Sequence, residues 1–173
     1  MEFKFVTEYS TKTLTEMAKV IRKTSRKKRN LISRIAGIIL IILAILLVIP
    51  SEDEVFVLDF RNLLMIIAVL MLVVVLLFED KLNGYIAKKR MLPSVKTATA
   101  TFGDENYLIE TEIGKTEFKY EAIVSIAETE GYYVFVFSQM HAQIYKKSTL
   151  AGGSEEEFEA FITEKTGKSV KRL

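Results

Sequence analysis

Cysteine is absent from the 173 residues, and histidine occurs once, at His141. The first absence excludes disulfide scaffolds, thiolate metal sites and cysteine nucleophiles. The second excludes a histidine-based metal cluster. Charge is wholly missing from two stretches, residues 35–49 and 63–78. Phosphate-loop, dinucleotide-binding, nucleophile-elbow and zincin motifs are missing too. Ser125 and Ser138 have no base at a recognisable spacing, and His141 has no partner pattern. Glu155, Glu156 and Glu157 are consecutive, so on a helix they point in different directions and read as a first turn rather than a metal cluster. Glu110/Glu112 and Glu128/Glu130, two apart on strands, read as a solvated sheet face. The expectation is a non-enzyme with no catalytic, cofactor-binding or metal-binding residues and no cofactor.

What is present is unevenly charged. Residues 1–34 carry a net charge of +7, residues 50–62 of −3 and residues 79–173 of −2. The overall pI of 8.6 averages unlike parts and says little about partners.

The two uncharged stretches read as a transmembrane hairpin. At about 1.5 Å per residue, residues 31–49 span about 28 Å and residues 55–78 about 36 Å, against a hydrocarbon core of roughly 30 Å. Spans are expected at about 31–50 and 57–78, with an outer loop at 50–60. A soluble bundle would leave a polar stripe, and LLMIIAVLMLVVVLLF has none. A cleaved signal peptide does not fit a charged leader of more than thirty residues followed by a second span. Lys19, Arg22, Lys23, Arg26, Lys27, Lys28, Arg29 and Arg34 precede the first span, and Lys81, Lys88, Lys89 and Arg90 follow the second. The loop has only Arg61. The positive-inside rule therefore puts both termini in the cytosol. The spans carry no ionisable group at depth, so the hairpin reads as an anchor rather than a transport path or channel. Gly37 and Ala44 offer a weak close-packing face, which leaves a homo-oligomer open.

Residues 1–30 are expected as a cytosolic strand and an amphipathic basic helix. Phe3 and Phe5 alternate with charge over Glu2–Thr7. Thr13 and Glu16 have capping-box spacing, and Leu14, Met17, Ala18 and Ile21 follow at helical intervals. This helix is expected over Thr13–Arg29 as a strut. Arg22, Lys23, Arg26, Lys27, Lys28 and Arg29, with Lys88, Lys89 and Arg90, are candidate contacts for anionic lipid headgroups. A basic run beside a span needs no nucleic acid, and none is expected as partner. A six-residue strand is not stable alone, so Glu2–Thr7 is expected beside the only other sheet, in the tail.

Residues 79–93 read as a juxtamembrane linker, closed by Pro93, and residues 94–173 as a β-rich cytosolic domain that folds by itself. Strands are expected over Lys96–Phe102, Tyr107–Ile113, Thr116–Tyr120, Ile123–Glu128, Tyr132–Phe137 and, last, Ala142–Lys146. A hairpin turn is placed at Gly114-Lys115. Tyr132–Phe137, apolar on both faces, reads as a central strand. Ser154 and Glu157 form a capping box, Phe158, Phe161 and Ile162 mark a helix face, and Gly167 marks its end. The fold class is an α+β membrane protein: a two-helix transmembrane hairpin plus a C-terminal pleckstrin-homology-like antiparallel sheet closed by one helix.

Three stretches of the tail carry a resemblance. They are Phe102-Gly-Asp-Glu-Asn-Tyr-Leu-Ile109, Phe118-Lys-Tyr-Glu-Ala-Ile123, and Ile144-Tyr-Lys-Lys-Ser-Thr-Leu150 followed by Gly152-Gly-Ser-Glu-Glu-Glu-Phe158. Together with the two spans they resemble the bacterial YcxB-like family. Tyr145 stands where that family usually shows proline, and Leu150 where it shows phenylalanine. The shared positions are packing and turn residues, and no site residues come with them. The resemblance implies the bacterial cytoplasmic membrane. Two functions are in view: a protein-interaction or regulatory module with an unidentified protein partner, or self-protection (immunity) against a membrane-active antibacterial toxin.

Overall fold

A computed structural model describes residues 2–50 and 57–173. Most of the expected outer loop, including Val55 and Phe56, lies outside the described residues. In chain order the elements are β1 (Phe3–Glu8), α1 (Thr11–Lys23), α2 (Lys27–Val48), α3 (Phe60–Arg90), β2 (Thr97–Phe102), β3 (Asn106–Thr111), β4 (Gly114–Lys119), β5 (Ser125–Glu128), β6 (Tyr132–Val136), β7 (Ala142–Lys146), α4 (Glu155–Thr166) and β8 (Val170–Arg172).

α2 and α3 are long and apolar enough to cross a membrane. Only 6% of the most apolar window of each is buried, whereas helices of a soluble bundle would cover a face. They touch each other at Gly37, which is buried against Leu76. α3 is capped by Asp59, whose carboxylate accepts the Asn62 amide, and it leaves helical geometry at Phe78 (φ −112°, ψ 18°). Beyond that kink the expected linker is helical as far as Arg90.

α1 starts earlier than its sequence pattern suggests. Ser10, extended at φ −84° and ψ 164°, accepts the Thr13 amide, and Thr13 is buried in the first turn. Several hydroxyls compete here, and the one on the last extended residue can reach the N3 amide. The expected strut Thr13–Arg29 is also broken: α1 ends at Lys23 and α2 begins at Lys27.

Two four-stranded sheets, in the orders β1-β2-β3-β4 and β7-β6-β5-β8, enclose one aromatic core. β1 is antiparallel to β2, with Phe3 opposite Phe102 and Phe5 opposite Ala100. On its other side it meets the chain that follows β7. The Lys4 amide donates to the Ala151 carbonyl and the Val6 amide to Thr149 Oγ1, while Thr7 Oγ1 accepts the Lys146 amide. β1 therefore seals the corner between the sheets. Gly152, at φ +100°, lies there because a Cβ would run into the Glu2 carbonyl.

Phe3 and Phe5 are fully buried in the same cluster as Phe102, Tyr107, Tyr133, Phe135, Tyr145 and Phe158. The ring of Phe158, from α4, lies 4.7 Å from that of Phe5 and 5.2 Å from that of Phe102. Tyr107 and Tyr145 satisfy their buried hydroxyls on Gln143 Oε1, at 2.8 Å and 2.5 Å. Residues 94–173 supply most of this core but not all of it. The reason is that β1 contributes two of its rings.

The opposite face of the second sheet is also covered. Ala127, Val134, Val136 and Ile144 pack with Val20 and Met17 of α1. This explains why β6 is apolar on both faces: Tyr133 and Phe135 point into the aromatic core, Val134 and Val136 at α1. Two helices, α1 and α4, thus pack on the sheets where one was expected. α4 has the full capping box at Ser154 and Glu157 and ends at Gly167 in the left-handed region. The chain then adds β8 parallel to β5, so β7 is not the last strand. Three residues with one apolar side chain left no periodic signal.

The hairpin turn is Glu112-Ile113, with Thr111 paired to Gly114, two residues before the expected site. Glu112 fixes it there. Its carboxylate accepts the amides of Lys96 and Thr97 and the Thr97 hydroxyl. A bond from its own backbone amide, and after it those from Thr97 and Lys96, outweigh desolvation and pull its pKa down to about 2.

Two outcomes follow in detergent-solubilised protein. Phe5→Ala should cost about 3–5 kcal/mol in chemical unfolding, with amide exchange at Lys4 and Val6 accelerating; a loss below about 1 kcal/mol would contradict the docking of β1. Because folding depresses the Glu112 pKa, its contribution is present above the ordinary value of 4.5 and fades toward about 2. Unfolding of the native protein and of Glu112→Gln should therefore differ at neutral pH and converge between those values.

Candidate functional site

Six of the nine basic residues singled out from the sequence lie at a joint between α1, α2 and α3. α1 runs antiparallel to the part of α3 beyond Phe78. The two come closest at Gly84, where a Cβ would lie 2.6 Å from the Thr15 amide nitrogen. At the other end of the contact the Arg22 guanidinium clasps Asp80 through two bonds of 2.6 Å. Both side chains are largely buried, and the bonds to Asp80 raise the Arg22 pKa against the cost of burial. Glu79 lies 3.9 Å from Arg34 and 4.0 Å from Arg22. Asn30, with its amide nitrogen turned to Glu79, donates at 2.9 Å.

This packing divides the nine candidates. Arg22 is engaged by Asp80. Arg26 donates from Nε to the Gln139 carbonyl at 2.5 Å, which ties the β6–β7 loop to the start of α2. Lys23, Lys27, Lys28 and Arg29 cluster at the α1–α2 corner without an acidic partner among the described residues. Lys88, Lys89 and Arg90 lie in the last turn of α3, ten or more residues past Phe78, or roughly 15 Å further along the helix. The structure does not bring them to the corner.

Cavities open beside the joint. A cleft of about 670 Å³ between α1 and the β6–β7 side of the sheet is lined by Lys12, Lys19, Lys146 and Lys147 against Glu16, Glu130 and Glu155, a nearly balanced set. A smaller one, of about 380 Å³, opens where α2 and the extension of α3 meet, beside Arg26, Arg29 and Met140.

The tail places its turns and its helix on this scaffold in chain order, from the end of β2 into α4. Residues 102–163 match the family model of the YcxB-like protein. The YcxB-like segment thus holds β3 to β7 and most of α4, and the resemblance read from Phe102 to Phe158 is borne out there. No curated protein and no solved structure matches the chain. Neither β1 nor α1 is in the matched segment, yet both pack on it. Tyr145 is a buried core ring against Phe5, Phe102 and Phe135.

Sequence reasoning missed the partners of the basic residues. Glu79-Asp80, directly after an uncharged run, was the available signal. It also missed Lys147, which is buried, bonded to Glu128 and, at 2.8 Å, to Glu155, and placed 4.8 Å from the ring centre of Tyr133. Burial opposes its charge, but the two carboxylates outweigh burial and raise its pKa. Glu128, read as half of a solvated pair, is thereby a structural anion that also meets Arg172 at 3.2 Å.

A double-mutant cycle of Arg22→Ala and Asp80→Ala should give a coupling of about 1–3 kcal/mol. Gly84→Val should lower the melting temperature by driving α1 from α3, and an unchanged value would refute the close approach.

Proposed function

We propose that the protein is a non-enzymatic component of the bacterial cytoplasmic membrane. α2 and α3 anchor it, both termini face the cytosol, and the two sheets form a protein-interaction or regulatory module held against the inner leaflet. One observation carries this reading. β1 pairs with β2 although both membrane-capable helices lie between them in the chain. Such pairing supports a hairpin that crosses twice and returns the chain to the same side, and the basic flanks support the cytosol as that side.

The sheets and α4 are read as a pleckstrin-homology-like half-barrel, with α1 and β8 as additions. Support comes from the two four-stranded sheets meeting at a β1–β7 corner and from Phe158 and Ile162 of α4 entering between them. The non-catalytic reading is supported by the three buried polar side chains Lys147, Tyr107 and Tyr145, which are engaged within the fold, Lys147 by carboxylates and the two tyrosines by Gln143. The binding surface is the outer edge of β4. That strand has β3 as its one sheet neighbour and exposes nearly all its side chains, so its backbone groups are open to an added strand.

Cysteine at Ser51 should react with an impermeant maleimide in intact cells while cysteine at Ser154 stays protected; the reverse pattern would overturn the topology. A photo-crosslinker at Glu117 of β4 should capture a defined partner in native membranes. Capture equal to that from a crosslinker at exposed Glu164 of α4 would overturn the module.

A further inference from the structure

We propose that the cavity at the start of α2 is a seat for the headgroup of one anionic phospholipid of the surrounding bilayer. The inference rests on the membrane reading above and adds a specific site to it. The cavity, about 380 Å³, is lined by Arg26, Arg29, Asn30, Ser33, Asn83 and Met140. Its remaining wall, Glu79, has its carboxylate turned to Asn30, Arg34 and Arg22.

The chemistry is that of a phosphodiester. Two guanidiniums face the cavity without an acidic partner among the described residues, and a guanidinium fork matches phosphate oxygens. Arg26 is held by the Gln139 carbonyl, so part of its ordering is already done. The Ser33 hydroxyl and the Asn83 amide are neutral donors for ester or glycerol oxygens.

The depth fits as well. Arg26–Ser33 are the two turns that lead into the uncharged run starting at Ile35. Leu31, Ile32 and Ile35 continue down α2 from the cavity and are half or more exposed, a path for acyl chains. Met140, on the β6–β7 loop, is 83% exposed although it is apolar and flexible. It borders the cavity and would lie on the glycerol region of a bound lipid. A free phosphate would use the arginines but leave Met140 and the apolar face of α2 open, so the whole surface favours an amphiphile.

The test uses the full chain in nanodiscs of phosphatidylglycerol mixed with phosphatidylcholine, followed by delipidation and native mass spectrometry. The native protein should retain one phosphatidylglycerol in preference to phosphatidylcholine. Arg26→Gln/Arg29→Gln should lower that retention at least tenfold, while Lys88→Gln/Lys89→Gln, an equal loss of charge at the far end of α3, should leave it unchanged. Equal losses in both double variants would show a diffuse field and overturn the site, as would full retention in the arginine variant. Displacement of the lipid by millimolar inorganic phosphate would reassign the cavity to a free anion. Protein that needs detergent but shows no lipid preference would overturn the site alone. Protein that leaves membranes in alkaline carbonate would overturn the membrane reading beneath it.

Discussion

Everything in this chain hangs on the pairing of β1 with β2. The strand at Phe3–Glu8 completes a sheet whose other members begin at Thr97, and roughly ninety residues intervene. Closing a flexible loop of that length costs on the order of 4 kcal/mol. Burying two phenylalanine side chains returns about 3–6 kcal/mol, so the pairing would be marginal between free ends. The intervening chain is not a flexible loop, however. α2 and α3 fold back on one another, and once they are paired the ends of the hairpin are already neighbours. Helix pairing and strand pairing therefore support each other, and neither the aromatic core nor the hairpin is independent of the other.

The second consequence concerns rigidity. A tail joined to an anchor by a single linker would swing freely. Here the extension of α3 lies against α1, and α1 lies against Val134, Val136 and Ile144 of the second sheet. Gly84 allows the helix backbones to approach, and the Arg22–Asp80 bonds fix their rotation. The kink at Phe78 thus stands between the apolar part of α3 and the part packed on α1, and α1 in turn rests on the sheet. Glu79 and Asp80, immediately after the kink, put the ionic contacts at the first turn of that packed part.

Periodicity and hydropathy made most of this architecture legible. The uncharged runs, the alternation of Phe3 and Phe5, the two-faced strand at Tyr132 and the capping box at Ser154 each carry a local signal that tertiary structure leaves intact. What failed to show had its cause in non-local contacts. Ser10 outcompetes Thr13 as a cap because of where β1 ends. The hairpin turn moves to Glu112 because Lys96 and Thr97, where β2 begins, supply three donors to its carboxylate. β8 is too short for a period and exists because β5 has a free edge. The candidate basic set could not be divided from sequence, since Arg22 and Lys23 are adjacent in the chain and only the packing of α1 on α3 shows that the first is spent internally. Met140 had no signal at all: an isolated apolar residue in a polar loop gains meaning only from the arginines that the fold brings beside it.

The division of charge also bears on orientation. Counted along the chain, the residues before the first span look overwhelmingly basic. In the folded protein Arg22 and Arg34 face Asp80 and Glu79, so part of that excess is cancelled within the joint. What remains outward at the α1–α2 corner is Lys23, Lys27, Lys28 and Arg29, each worth about 1 kcal/mol beside an anionic leaflet. Lys88, Lys89 and Arg90 do not share that corner. Those three cap the negative end of the α3 dipole instead. The basic residues thus divide into those paired within the joint, those left outward at the α1–α2 corner and those at the negative end of the α3 dipole, a division that a count along the chain does not show.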